Sequence, residues 1–184
     1  MLAVVPVKGR DGAKSRLAPL LQPEERSRLV LDMLERVLAA CAEAKAITGT
    51  LLVTPDPAFP PAGTEILLDA GTGHAEAIAL GLRDPRAREG ALVVMADCPL
   101  ASADSLDALA RAADPLALAP SRDGGVNALA LCPLDGFVPP FGVPVERTLA
   151  AARAAGLEPV VLEDPLLALD VDLPEDYEAM LACL

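Results

Sequence analysis

Tryptophan is absent from this chain of 184 residues, and one Tyr and three Phe are its only aromatic side chains. Hydrophobic residues still make up 53% of it, so the core has to be aliphatic. At this length one domain can bury a sizeable core, and residues 1–184 read as a single domain with no repeat, low-complexity linker or internal break. No uncharged apolar run reaches the roughly 20 residues of a membrane span, and the first apolar stretch is too short for a signal peptide. A cytoplasmic protein without a membrane partner is expected. Cys41, Cys98, Cys132 and Cys183 are scattered with no C-x-x-C spacing, which indicates neither a disulfide framework nor a zinc site. Each stands in an apolar context and is expected to pack. His74 is the single histidine, and G-x-S-x-G and H-E-x-x-H are both missing, so a histidine triad could be built only around that one residue.

Positive charge is also scarce. The formal net charge is −12, which argues against nucleic acid as a partner. Six of the 15 basic residues lie between Lys8 and Arg28, whereas Glu158 to Leu184 holds eight acids and no base. That asymmetry suits a phosphate at one side of a site and a divalent cation at the other, although ordinary solvated faces produce it too.

What the chain does have is alternation. "LAVVPV" is a short, Val-rich interior strand. "PEERSRLVLDMLERVLAACAEA" is an amphipathic helix with Pro23 in its first turn and Glu24 and Glu25 complementing the dipole. "TLLVT", "EILLD" and "ALVVMA" read as strands, "HAEAIALGL" as a helix, and "SADSLDALARAA" as a helix capped by Ser102. "LALAPS" and "NALALC" are strands flanking the turn "RDGG". "VERTLAAARAAG" is helical to Gly156, "EPVVLE" and "ALDVD" are strand or extended, and Pro174 opens a last helix. The pattern predicts a three-layer α/β/α fold with a mainly parallel twisted sheet, which binds ligands at the carboxyl ends of its strands.

Three charged groups follow strand ends. Lys8, Arg10, Lys14 and Arg16 form a cationic loop loosened by Gly9 and Gly12, a common way to hold nucleotide phosphates. The loop is neither a Walker P-loop nor G-x-G-x-x-G, which disfavours kinase, ATPase and dehydrogenase chemistry. Asp97 ends "ALVVMA", and Asp170 and Asp172, two apart in "ALDVD", are expected on one side. Singly, Asp97 reads equally well as a turn cap and Asp172 as support for the turn before Pro174. Together the three carboxylates would suit Mg²⁺, which takes carboxylates plus substrate phosphates. Chemistry without a protein base fits the scarcity of histidine. A phosphate monoester, with a second pKa of about 6, is already ionised and can attack the α-phosphorus of a nucleotide. The enzyme need only align the groups and neutralise charge.

The segments "VPVK…AKSRLAP…ER", "DCPL…DSLDAL", "PSRDGGVNALAL", "FG" before a helix and "LDVDLPEDY", in this order, closely resemble the phospholactate guanylyltransferase family of deazaflavin coenzyme F-420 biosynthesis. Those proteins are relatives of the molybdenum-cofactor nucleotidyltransferases and have a fold like the GT-A, nucleotide-diphospho-sugar transferases. The resemblance implies transfer of GMP from GTP to 2-phospholactate or phosphoenolpyruvate with release of pyrophosphate. It also implies GTP phosphates on Lys8, Lys14 and Arg16, Mg²⁺ on Asp97, Asp170 and Asp172, and catalytic roles for Lys14, Arg16 and Asp97. Gly71, Gly73, His74, Gly125, Asn127 and Gly142 become candidate nucleotide contacts, with His74 equally readable as a helix-start residue. Asp56 reads either as a guanine acceptor or as a turn residue. The family's G-T-N-A-L is "GVNAL" here, with Val126 in place of a hydroxyl, and "FGVPVERTLAAA" lacks the Ser and His that usually follow F-G. These departures predict a different acceptor or weaker acceptor binding, with Arg147 and Thr148 of the next helix as substitutes and Arg122 as a further candidate that also reads as a solvent-exposed turn arginine. A same-fold transferase with another nucleotide or acceptor, and a non-catalytic nucleotide-binding module, stay open as alternatives. So does the oligomeric state.

Overall fold

Successive residues of strand β1 (Leu2–Pro6) face opposite layers of the molecule. Leu2 and Val4 pack with Ile78 and Leu82, while Ala3 and Val5 pack with Met33 and Leu34. A strand buried on both faces needs a layer of helices above and below it, as parallel sheets have. The computed structural model describes residues 1–8, 14–133 and 136–184. Gly9, Arg10 and Gly12 lie outside them.

The sheet contains β1, β2 (Gly49–Thr54), β3 (Ile66–Leu68), β4 (Ala91–Val94), β5 (Leu116–Pro120), β6 (Val126–Leu131) and β7 (Val160–Val161) in the order β3-β2-β1-β4-β6-β5-β7. Among the described residues only β6 runs against its neighbours, pairing antiparallel with both β4 and β5, and every other pairing is parallel. Helices α1 (Pro23–Glu43), α3 (Ala103–Ala112) and α5 (Pro174–Cys183) cover one face, placing Met33, Leu106, Leu109 and Met180 in its core. Helices α2 (His74–Gly81) and α4 (Val145–Ala154) cover the other, with Ile78 and Ala152. This is the expected three-layer arrangement.

Local signals act where expected. The Gln22 amide donates to the Glu25 carboxylate at 2.7 Å at the start of α1, and Ser102 Oγ accepts from Ser105 N at 3.1 Å at the start of α3. Gly81 lets α2 lie against the sheet, since a Cβ there would come within 2.4 Å of Val4 Cγ1. "ALDVD" forms no strand. Two backbone bonds hold it extended instead, Arg122 N to Ala168 O at 3.0 Å and Val171 N to Asp97 O at 3.1 Å.

The cysteines are all free, with Cys41 and Cys98 buried, Cys132 partly so, and burial pushing the Cys41 thiol up to about 12 against a hydrogen bond to Thr50. Cys183 corrects the expectation that all four pack. It is exposed in the last turn of α5, beyond Met180, where the core ends. Among the described residues no helix is long and apolar enough to cross a membrane.

Candidate active site

The carboxyl ends of β1 and β4 place the first candidates side by side. The strand path of β1 continues to Val7, whose amide donates to Val53 O at 2.9 Å, and Lys8 follows it into solvent. Lys14 adopts φ 52°, ψ 42°, the only left-handed non-glycine backbone among the described residues. Such a conformation costs about 1–3 kcal/mol and persists where the surroundings fix it. Here the fixing groups are two carboxylates, for the Lys14 ammonium donates to Asp97 Oδ2 at 2.6 Å and to Asp172 Oδ1 at 2.8 Å. Only 9% of the side chain is exposed. Burial alone would lower the lysine pKa, but the charge of Asp97 and the bonds to Asp172 and Asp97 outweigh it and raise it. Arg16 sits on the 3-10 turn Ser15–Leu17, which buried Leu17 anchors; its exposed guanidinium lies 3.8 Å from Asp172 Oδ2.

Asp97 follows β4 after a short extension in which Met95 N donates to Asn127 O at 2.9 Å. The backbone bond from Val171 to Asp97 brings the segment holding Asp170 and Asp172 alongside. Asp170 Oδ1 accepts from Asn127 Nδ2 at 3.1 Å. Burial raises the Asp170 carboxyl; the Asn127 amide opposes this, and the charges of Asp97 and Asp123 add to it. Asp172 goes the other way. Burial would raise it, but the Lys14 hydrogen bond and charge prevail, with Arg16 helping, and hold it below the usual carboxylate range.

These groups border a cleft of about 730 Å³ lined by His74, Asp97, Asn127, Gly142, Asp170 and Asp172. A smaller recess of about 250 Å³ adjoins it, with Lys8, Asp69, Gly71 and Gly73 in its wall, and His74 belongs to both. Burial, then the charge of Lys8, lowers the His74 pKa and favours the neutral ring. The described residues lining the cleft include five acids, Asp97, Asp123, Glu146, Asp170 and Asp172, and no Lys or Arg.

Several candidates are occupied in ways the sequence did not reveal. Asn127 lines the cleft, yet its amide nitrogen is turned inward, shared between Asp170 and Leu167 O at 3.0 Å. The amide of Gly125 is held by Ser121 Oγ at 2.7 Å and Asp123 Oδ1 at 3.1 Å. Gly142 supplies a left-handed turn, φ 68°, in the cleft wall. Thr148 is no substitute acceptor contact, because its buried hydroxyl donates to Pro140 O at 3.0 Å. Arg122 and Arg147 are exposed and outside the cleft lining. Asp56 Oδ1 accepts from Ala58 N at 3.0 Å, which is its turn role. Asp123, Glu146 and Asp69 are cavity residues the sequence reading missed. They lie in a turn, a first helical turn and a strand end, where acids usually cap or solvate.

The fit to Mg²⁺ is mixed in geometry and good in chemistry. Among the described residues no three acid, histidine or cysteine side chains gather closely enough to hold an ion between them. Lys14 stands between Asp97 and Asp172 instead. Asp97 and Asp170 feel each other's charge and line one cleft, offering hard oxygens of the kind Mg²⁺ takes alongside water and phosphate.

Residues 1–182 match the family described as "Guanylyl transferase CofC like". The chain belongs to that family. The chain is 43% identical over 190 residues to the phosphoenolpyruvate guanylyltransferase of Sphaerobacter thermophilus, an alignment covering 97% of this chain and 91% of that protein. It is 35% identical over 190 residues to the 3-phospho-D-glycerate guanylyltransferase of Phenylobacterium zucineum, covering 95% and 86%. Its fold is similar to that of a nucleotidyl transferase from Methanothermobacter thermautotroptrophicus, with a TM-score of 0.72 at 18% identity over 97% of this chain and 94% of the other. The family membership makes this chain a guanylyltransferase, and the sheet is of the nucleotidyltransferase type.

Proposed function

We propose that this guanylyltransferase moves GMP from GTP onto phosphoenolpyruvate or a closely similar phosphorylated carboxylic acid, releasing pyrophosphate, with Lys14, Arg16 and Asp97 at the reacting centre. The observation that carries the reading is the Lys14 ammonium held between Asp97 and Asp172 at the carboxyl edge of the sheet, beside a cleft lined by acids. The recess bounded by Lys8, Gly71, Gly73 and His74 takes the nucleoside, which lays the triphosphate across Lys14 toward Arg16.

The acceptor's phosphate oxygen attacks the α-phosphorus; the bond to the bridging oxygen of the β-phosphate breaks, and a phosphoanhydride forms as pyrophosphate leaves. The attacking phosphate is ionised near neutral pH, so no side chain has to remove a proton. Neutral His74 therefore serves contact rather than proton transfer. Lys14 and Arg16 receive charge that develops on the transferred and leaving phosphates, in a site that also aligns them. Asp97 and Asp170, with Asp172 once its lysine is drawn to phosphate, would hold Mg²⁺. The ion supplies neutralisation of phosphate charge in a cleft otherwise lined by carboxylates.

Val126, Phe141, Val143 and Val145 give part of the cleft lining an apolar surface. That wall suits the methylene of phosphoenolpyruvate better than the hydroxyl of a phosphoglycerate, which would lose hydrogen bonds to water there. A GTP-consuming reaction of this kind belongs in the cytoplasm and in deazaflavin coenzyme synthesis. The test is pyrophosphate release with each of the four NTPs, Mg²⁺, and phosphoenolpyruvate, 2-phospholactate or 3-phosphoglycerate. Release is expected only with GTP and an acceptor together, fastest with phosphoenolpyruvate. Release from GTP without an acceptor, or none with any pair, would overturn the reading.

A further inference from the structure

The place where a divalent ion would meet Asp97 and Asp172 already holds a positive charge. The Lys14 ammonium makes a charge-assisted bond to each acid, at 2.6 and 2.8 Å, from a side chain only 9% exposed. Its backbone is left-handed, and the Val171–Asp97 backbone bond keeps the segment carrying Asp172 alongside Asp97. We propose that Lys14 is a resident counter-cation that excludes a free divalent ion, so that the site accepts its metal only as the nucleotide complex.

The inference rests on the metal reading above. A free ion arriving at Asp97 would have to displace the ammonium or sit beside it, and among the described residues Lys14 is paired with Asp97 and Asp172. A metal–triphosphate complex brings that anion with it. The flexible four-carbon stem lets the ammonium move from carboxylate to phosphate, which frees Asp97 as the ion arrives. Arg16, 70% exposed and 3.8 Å from Asp172, is placed to keep that acid's charge balanced meanwhile. Nucleotide and metal then bind with positive coupling carried by one side chain, and the coupling is reciprocal. The chain gains a filter against free divalent ions, which would otherwise occupy an acidic cleft without substrate.

Mn²⁺ without nucleotide is the direct probe, followed by electron paramagnetic resonance and by thermal midpoint. Lys14→Met keeps the stem and removes the charge, and is expected to bind free Mn²⁺ about tenfold or more tighter than wild type. Lys14→Arg is expected to stay near wild type. Wild type alone provides a check that needs no variant to fold: Mn²⁺ should leave its midpoint unmoved until a non-reacting GTP analogue is added. Equal Mn²⁺ affinity in wild type and Lys14→Met, weaker binding in the variant, or a midpoint shift of wild type by Mn²⁺ alone overturns the proposal. Asp97→Asn in the Lys14→Met background separates the two readings. If it leaves Mn²⁺ affinity unchanged, the metal assignment fails; if it abolishes the affinity while Lys14→Met equals wild type, only the role of Lys14 fails.

Discussion

Asn127 Nδ2 donates to Asp170 Oδ1 at 3.1 Å, and the same nitrogen holds Leu167 O at 3.0 Å. The donor stands near the start of β6, a central strand, with 4% of its surface exposed, so a rigid element aims a carboxylate that lies on an extended segment. Asn127→Ala is expected to leave buried acceptors unpaired and lower stability by about 1–3 kcal/mol. Turnover should fall while KM for GTP changes little, because Asn127 does not line the nucleoside recess. Steady-state kinetics beside urea denaturation checks this, and a change confined to KM would assign Asn127 to nucleotide binding instead.

Asp97 and Asp170 should behave as one unit. Asp97→Asn or Asp170→Asn is expected to reduce GMP transfer by about a hundredfold or more, as loss of an electrostatic group does. The double variant should be little worse than either single one, since each alone disables the same assembly. Circular dichroism should show the fold unchanged. A double variant whose loss is the product of the two single losses would mean that the carboxylates act separately.

How far the sequence leads depends on how far away each residue's partner lies. That Lys14 and Asp97 would meet was legible because strand ends in an α/β sheet share one edge, whatever the details between them; Asp172 arrives instead on an extended segment bonded to the Asp97 backbone. That Lys14 would occupy the space between the two acids was not legible, since it depends on a left-handed backbone at a lysine, which carries no residue signature. The buried bond of Thr148 to Pro140 and the inward turn of Asn127 were hidden for a related reason: a polar side chain's partner is a tertiary fact. Asp56 shows the opposite case, as its partner is two residues along and the turn "PDP" announced it. The hairpin of β5 and β6 followed from "RDGG", but the insertion of β6 beside β4 required the whole sheet.

Gly81 tests the packing of α2 on the sheet. A methyl group added there meets Val4 Cγ1 at 2.4 Å, Val53 Cγ2 at 3.1 Å and Val4 Cγ2 at 3.3 Å, all on β1 and β2 in the core. Overpacking of this kind costs about 1–3 kcal/mol, more than the helix-propensity gain of about 1 kcal/mol from Gly to Ala. Gly81→Ala should therefore lower the urea midpoint. An unchanged or higher midpoint would show that α2 can shift outward at little cost.

Asp107 sets an acid-dependent part of the stability away from the active site. Its Oδ1 accepts from Ala46 N at 2.8 Å, tying α3 to the loop before β2. That backbone bond keeps its pKa below the ordinary value, against desolvation of the carboxylate. A depressed carboxylate contributes fully above the unfolded value of about 3.9, and the contribution is lost as pH falls through the lower folded value. Asp107→Asn keeps an acceptor but no charge. The gap in urea midpoint between wild type and Asp107→Asn should be constant near neutrality and close below about pH 4. A gap independent of pH would mean that the charge contributes nothing.

Val126 is where the acceptor's chemistry should be readable. It opens β6, lines the cleft and stands partly buried beside Asn127, the residue that positions Asp170. An apolar wall at this point favours an acceptor with a bare methylene and disfavours one whose hydroxyl would be left without a partner. Val126→Thr has nearly the same shape and adds one hydroxyl. A site hydrogen bond to a substrate hydroxyl is worth about 1.4 kcal/mol, or about tenfold in kcat/KM. The variant is therefore expected to raise the ratio of kcat/KM for 3-phosphoglycerate over phosphoenolpyruvate by about tenfold. KM for GTP should stay constant, because the nucleoside recess is lined by other residues. Competition between the two acceptors at fixed GTP measures the ratio directly. If the ratio stays put while both acceptors still react, the acceptor does not lie against β6, and the turn holding Asp123 and Glu146 at the start of α4 become the places to look next.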